Sequence, residues 1–149
     1  MTGAGTARQP RSLEAFRKER RLGQILPGYD NLVPAYERAR AAIARLGNER
    51  DGELWIAALL QLAEANLSGR VIASFLRLSE GWSEKRPVAL LALLGEAAAR
   101  IGRLAGTTAA ATVLLRLPQV LGHLKERADL ATMLDTLERL AEAAPDTLP

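Results

Sequence analysis

His123 is the only histidine in the chain, and there is no cysteine. Glu126 and Asp129 follow it at spacings that one helical face could gather. One imidazole with two carboxylates specifies zinc poorly, because such sites draw on a second His or on Cys. His123 stands just ahead of Lys125, which suits a helix C-terminus, where a cationic side chain meets the negative end of the dipole. The sequence shows no nucleophile with an adjacent base, no gathered carboxylate pair and no phosphate-cradling Gly loop. It therefore predicts no catalytic residue, no metal site and no cofactor, and the expected class is not an enzyme. The absence of cysteine also excludes a disulfide framework.

The cations are the next residues whose types and spacing carry chemistry. The chain sums to +3. Residues 1–24 hold Arg8, Arg11, Arg17, Lys18, Arg20 and Arg21 against Glu14 and Glu19, a net +4 that leaves −1 for the remainder. The basicity is an N-terminal arm, not a property of the body, and a uniformly basic nucleic-acid domain is not expected. Arg11, Arg17, Lys18, Arg20 and Arg21 are the candidate contacts for an anion or for nucleic acid, because gripping phosphates needs mainly cations on a reachable segment. Glu19 interrupts the patch, and no aromatic is read as interleaved with it for base stacking. The bland alternative is a solvated helix face.

Trp55 and Trp82 are the candidate anchors for a partner, since Trp is enriched in binding hot spots. Trp55 falls in a helix apolar nearly all round and is expected in the core. Trp82 follows Gly81 in a turn and is expected to be partly exposed, so it is the candidate partner contact. Residues 62–77, LAEANLSGRVIASFLR, resemble a helix-turn-helix, with Ala63 on the first helix and Arg70 and Arg77 on the second. The turn glycine, however, falls on Gly69 where Leu67 would have to be Gly, and the second helix is too apolar to read base edges. Two core helices joined by a Ser-Gly turn are the favoured account.

These residues must be positioned by helices. Hydrophobic residues make up 48% of the chain and charged residues 25%, ordinary for a globular protein. Ala and Leu, both strong helix formers, dominate the apolar set. Residues 1–11 read as a flexible tail and 12–149 as a single domain, with 12–24 as a basic first helix capped by Ser12 and ended by Gly23 and Pro27-Gly28. A second helix starts near Asp30 or Val33 and stops at Gly47. A third covers about 52–67, with only Glu53, Gln61 and Glu64 as a polar stripe, and so belongs at the centre. Ser68 caps a fourth that ends near Gly81, and Pro87 opens a fifth. Thr107 or Thr108 caps a sixth, which Pro118 should kink or end. The last, about 127–144, turns Leu130, Leu134, Leu137 and Ala141 one way and Asp129, Thr132, Asp135, Glu138, Arg139 and Glu142 the other.

No segment alternates with the period of a half-buried strand. The expected fold is all-α, a compact bundle or a short helical-hairpin array of six to seven helices with no sheet. The third and fifth helices should form its core through Leu59, Leu62, Leu91 and Leu94. Gly95 and Ala99, and Ala98, Gly102 and Gly106, repeat at four-residue spacing, which allows close helix packing. Glu96, Arg100 and Arg103 interrupt that stretch, so membrane association is not expected. No apolar signal region follows the N-terminus, and the expected location is cytoplasmic. The expected function is a non-catalytic module for protein–protein interaction or self-association. The alternative is a small helical nucleic-acid-binding subunit that uses residues 8–21.

Overall fold

The computed structural model describes residues 13–29, 31–65, 67–82 and 84–120, together with Thr132 and Asp135. The described chain is all-α. Helix α1 spans Leu13–Ile25 and runs into a 3₁₀ turn at Leu26–Gly28. Then come α2 (Leu32–Leu46), α3 (Glu49–Glu64), α4 (Gly69–Glu80), α5 (Val88–Ala105) and α6 (Thr107–Val120), with no strand among the described residues. The tail at 1–11 and most of the last expected helix, 127–144, lie outside the described residues.

Most boundaries follow from local chemistry. Pro27, not Gly23, stops α1. Gly23 stands on the exposed side of the helix, and one Gly costs about 1 kcal/mol there, too little to break a helix held by buried Leu22 and Leu26. Asn31 takes the left-handed conformation at φ 65°, a geometry its short polar side chain tolerates, and turns the chain into α2. The Gly47 N–H bonds the Ile43 carbonyl at 2.9 Å and closes α2.

Helix α3 starts at Glu49, earlier than the expected Gly52. Asn48 accepts the Asp51 N–H at 2.9 Å, and Glu49 and Asp51 place negative charge in the first turn. Ser68 stands at the N-cap position of α4 without a capping bond from its side chain. Helix α6 continues past Pro118 to Val120. Pro118 has no N–H to donate to the Leu114 carbonyl, so the helix continues there without one bond of its ladder.

The helices pack by alternation. Helix α1 lies on α3 and α3 on α5, while α2 lies on α4 and α4 on α6; α5 and α6 join the two rows. This is the pattern of stacked helical hairpins. The α3–α5 contact is the heart of the core, and Leu59, Leu62, Leu91 and Leu94 are fully buried, as expected. The helices approach closely because Gly95 and Gly102 have no side chain. A Cβ at Gly95 would meet the Phe75 ring at 2.8 Å and Ala58 at 3.3 Å, and one at Gly102 would meet Leu67 at 2.8 Å and Ala110 at 3.2 Å.

Trp55 is in the core, as expected. It stacks on Tyr36 at 5.9 Å between centroids and on Phe75 at 6.5 Å. The resemblance to a helix-turn-helix does not carry through the packing. Helix α4 rests chiefly on α2, not α3, and buries Val71, Ile72, Phe75 and Leu76.

Candidate functional site

The two faces of α1 differ sharply. Ala15 and Leu22 are buried against the body. At 100° per residue, Leu13, Phe16, Arg17 and Arg20 fall on the side away from Leu22. All four are exposed, Leu13 to 63% and Phe16 to 53%. One helical face thus offers two large apolar side chains to solvent with two guanidinium groups between and beside them.

The candidate cations are used unequally. Lys18 pairs with Glu14 at 3.0 Å along the helix. Arg21 reaches Glu64 of α3 at 3.3 Å and Gln24 at 3.5 Å. Glu19, which interrupts the patch in sequence, turns inward and pairs with Arg40 of α2, leaving the outer face without a carboxylate between Phe16 and Arg20. Such pairs at the surface contribute about 0–1 kcal/mol each and mainly orient side chains. Arg17 and Arg20 remain exposed on the outer face, while Arg8 and Arg11 lie outside the described residues.

Phe16 corrects the expectation that no aromatic is interleaved with the cations. It precedes Arg17 and stands one turn from Arg20. The signal was in the sequence: with Leu22 inward, helical spacing turns Leu13 and Phe16 outward. Their apolar type pointed to the core instead.

Beneath this face is a cleft of about 300 Å³ between α1, α2 and α3. Ala15, Ile43 and Ile56 form its apolar part, and the Glu19–Arg40 pair, Glu49 and Glu53 supply its charge. Its lining includes no His, Ser, Thr or Lys, so it offers neither a nucleophile nor an imidazole base. Among the described residues, no group of three or more His, Cys, Asp and Glu is placed to hold a metal ion. His123 lies outside them.

Trp82 does not present the exposed surface expected of a partner contact. Only 4% of it is accessible. Its indole N–H donates to the Pro87 carbonyl at 3.2 Å, and the Arg86 guanidinium lies 5.0 Å from the ring centroid. The side chain is spent on closing the α4–α5 loop. Turn residues are usually wet, but an amphipathic ring with a local carbonyl for its N–H folds back onto the core.

Among the described residues, no helix is long and apolar enough to cross a membrane. Compared with protein families, curated proteins and solved structures, the chain matches none.

Proposed function

We propose that this chain is a non-catalytic helical module that binds another protein through the outer face of α1. The observation that carries the proposal is the exposure of Leu13 and Phe16 on one face with Arg17 and Arg20. Two large apolar groups left in water at the end of a well-packed array gain free energy when a partner covers them. Aromatic and Arg side chains are the types that dominate binding energy at interfaces. The partner that fits is an acidic segment with apolar side chains, such as an amphipathic helix whose carboxylates meet the two guanidinium groups.

The same observation favours one second reading. An exposed ring beside two Arg residues is also a platform for a single-stranded nucleic acid, with the base stacked on Phe16 and the phosphates on the cations. Fluorescence anisotropy with two labelled probes, an acidic amphipathic peptide and a single-stranded oligonucleotide, separates them. We expect the peptide to bind and Phe16→Ala to weaken it by roughly tenfold, the loss of an anchor worth about 1.4 kcal/mol. Oligonucleotide binding that falls steeply with salt, without peptide binding, would assign the face to nucleic acid. If neither probe responds to Phe16→Ala, the face is not the site.

A further inference from the structure

The outer face of α1 and the cleft between α1, α2 and α3 are neighbours of opposite charge. Going round α1 at 100° per residue, Ala15 and Glu19 come first on the cleft wall, then Phe16, Arg20, Leu13 and Arg17 in that order. The apolar and basic stripe therefore begins where the cleft ends. On the opposite wall, Glu49 and Glu53 stand four residues apart on α3, the first exposed and the second half-buried. Arg40 is engaged with Glu19, so these two carboxylates leave the cleft net negative. Among the described residues, no ion pair engages Arg17, Arg20, Glu49 or Glu53.

The cleft has room for a ring over an apolar floor of Ile43, Trp55 and Ile56. Ala15, Ala44, Gly47 and Gly52 keep its walls thin, and nothing lies within 4 Å of where a Cβ on Gly52 would stand. A Gly inside a helix costs about 1 kcal/mol of propensity. At Gly95 and Gly102 that cost accompanies close helix packing, whereas at Gly52 it accompanies open space at the cleft. Two α1 faces set against each other would crowd four guanidinium groups, which like charge opposes. The α1 face of one molecule set against the cleft of another brings opposite charges together.

We infer that the partner of the α1 face is a second copy of this chain. In the resulting two-fold dimer, Phe16 of each copy enters the cleft of the other, and Arg17 and Arg20 of each meet Glu49 and Glu53 of the other. This rests on the reading of that face as a protein-binding surface, and it identifies the acidic amphipathic helix as the first turns of α3. A two-fold axis uses the same surface on both copies, so every contact occurs twice. Because stripe and cleft adjoin on α1, the two exchanged contacts lie close to the axis and form one interface. Two rings leave water, and four guanidinium groups find carboxylates.

Sedimentation equilibrium of the full-length chain over a concentration series reads the dimer, and charge reversal identifies its surfaces. Arg17→Glu with Arg20→Glu makes the stripe acidic, and Glu49→Arg with Glu53→Arg makes the cleft basic. Each double variant alone should be monomeric where the unsubstituted chain is dimeric. An equal mixture of the two should dimerise again, since each reversed surface then faces its opposite. Phe16→Ala should raise the dissociation constant roughly a hundredfold, about tenfold for each symmetric contact. Far-UV circular dichroism verifies the fold of each variant. Where a reversed cleft variant loses its helices, Glu49→Gln with Glu53→Gln replaces it and should still weaken the dimer. A monomer at every concentration, a dimer indifferent to changes on either surface, or a mixture that stays monomeric although both variants are folded would overturn the inference. The acidic peptide separates this failure from that of the underlying reading. A monomeric chain whose peptide binding still falls with Phe16→Ala keeps the α1 face as a protein-binding surface and loses only the self-pairing.

Discussion

Trp55 donates its indole N–H to the Ser79 hydroxyl at 2.9 Å, and that hydroxyl donates to the Phe75 carbonyl at 2.8 Å. Ser79 is fully buried, and this relay satisfies the polar atoms at the centre of the aromatic stack. Ser79→Ala should therefore lower stability by about 1–3 kcal/mol, because it strands a buried donor. Trp55→Phe in the Ser79→Ala background should cost less than in the native protein, since the donor it removes is already unsatisfied. Urea unfolding of the four proteins in that cycle measures the coupling, and strict additivity would show that the two groups act independently. Gly95→Val tests close approach at the same centre. The added methyls would collide with Phe75 and Ala58, and overpacking of this kind costs about 1–3 kcal/mol, seen as a lower denaturation midpoint at unchanged slope. At this scale the sequence is legible where burial comes from a helix's own pattern, as for Trp55. It misleads at Trp82, whose carbonyl partner at Pro87 comes from loop geometry that no periodicity encodes. It misleads again at Phe16, whose apolar character hides an outward position.

Helices begin and end for reasons that single residues can test. Gly23 lies mid-helix on the exposed side of α1, and a Cβ there meets nothing within 4 Å. Gly23→Ala should raise stability by about 0.5–1 kcal/mol through helix propensity alone. Gly106 is equally open but sits between α5 and α6 at φ +97°. There the same substitution should be destabilising by about 1–2 kcal/mol, because an L side chain is strained at positive φ. Thermal melts of the two variants should move in opposite directions, and movement in the same direction would show that the space around each glycine, not its backbone angle, governs its effect. All six described helices are legible from spacing, but their ends are less so. Apolar periodicity does not single out Asn48 as a cap, although it precedes Glu49 and Asp51. A proline is expected to stop or kink a helix, yet α6 passes through Pro118 near its end.

At the scale of the whole molecule, net charge is divided unevenly along the chain. The net positive charge gathers before residue 25, whereas the remainder is near neutral. That division is readable from counting, and deleting residues 1–11 should leave the melting temperature almost unchanged, because that stretch has no apolar periodicity with which to anchor itself. The order of the rows is not readable. Amphipathic stripes say which side of a helix is buried but not which other helix buries it, and every stripe here is made largely of the same Ala and Leu. Only the contacts reveal that odd helices stack on odd and even on even. That order makes burial steeply graded, which two leucines should report. Leu91 on α5 is fully buried, while Leu115 on α6 is 67% exposed. Leu91→Ala should cost about 2–5 kcal/mol, because it removes buried apolar area and leaves a cavity that the surrounding core only partly fills. For a chain of this size the melting temperature should fall on the order of 5–15 °C. Leu115→Ala should stay within about 0.5 kcal/mol, as substitutions away from packed features do. Calorimetry of both variants checks the gradient. A large loss at Leu115 would show that this side chain is covered in solution, and a small one at Leu91 would place the core elsewhere in the array.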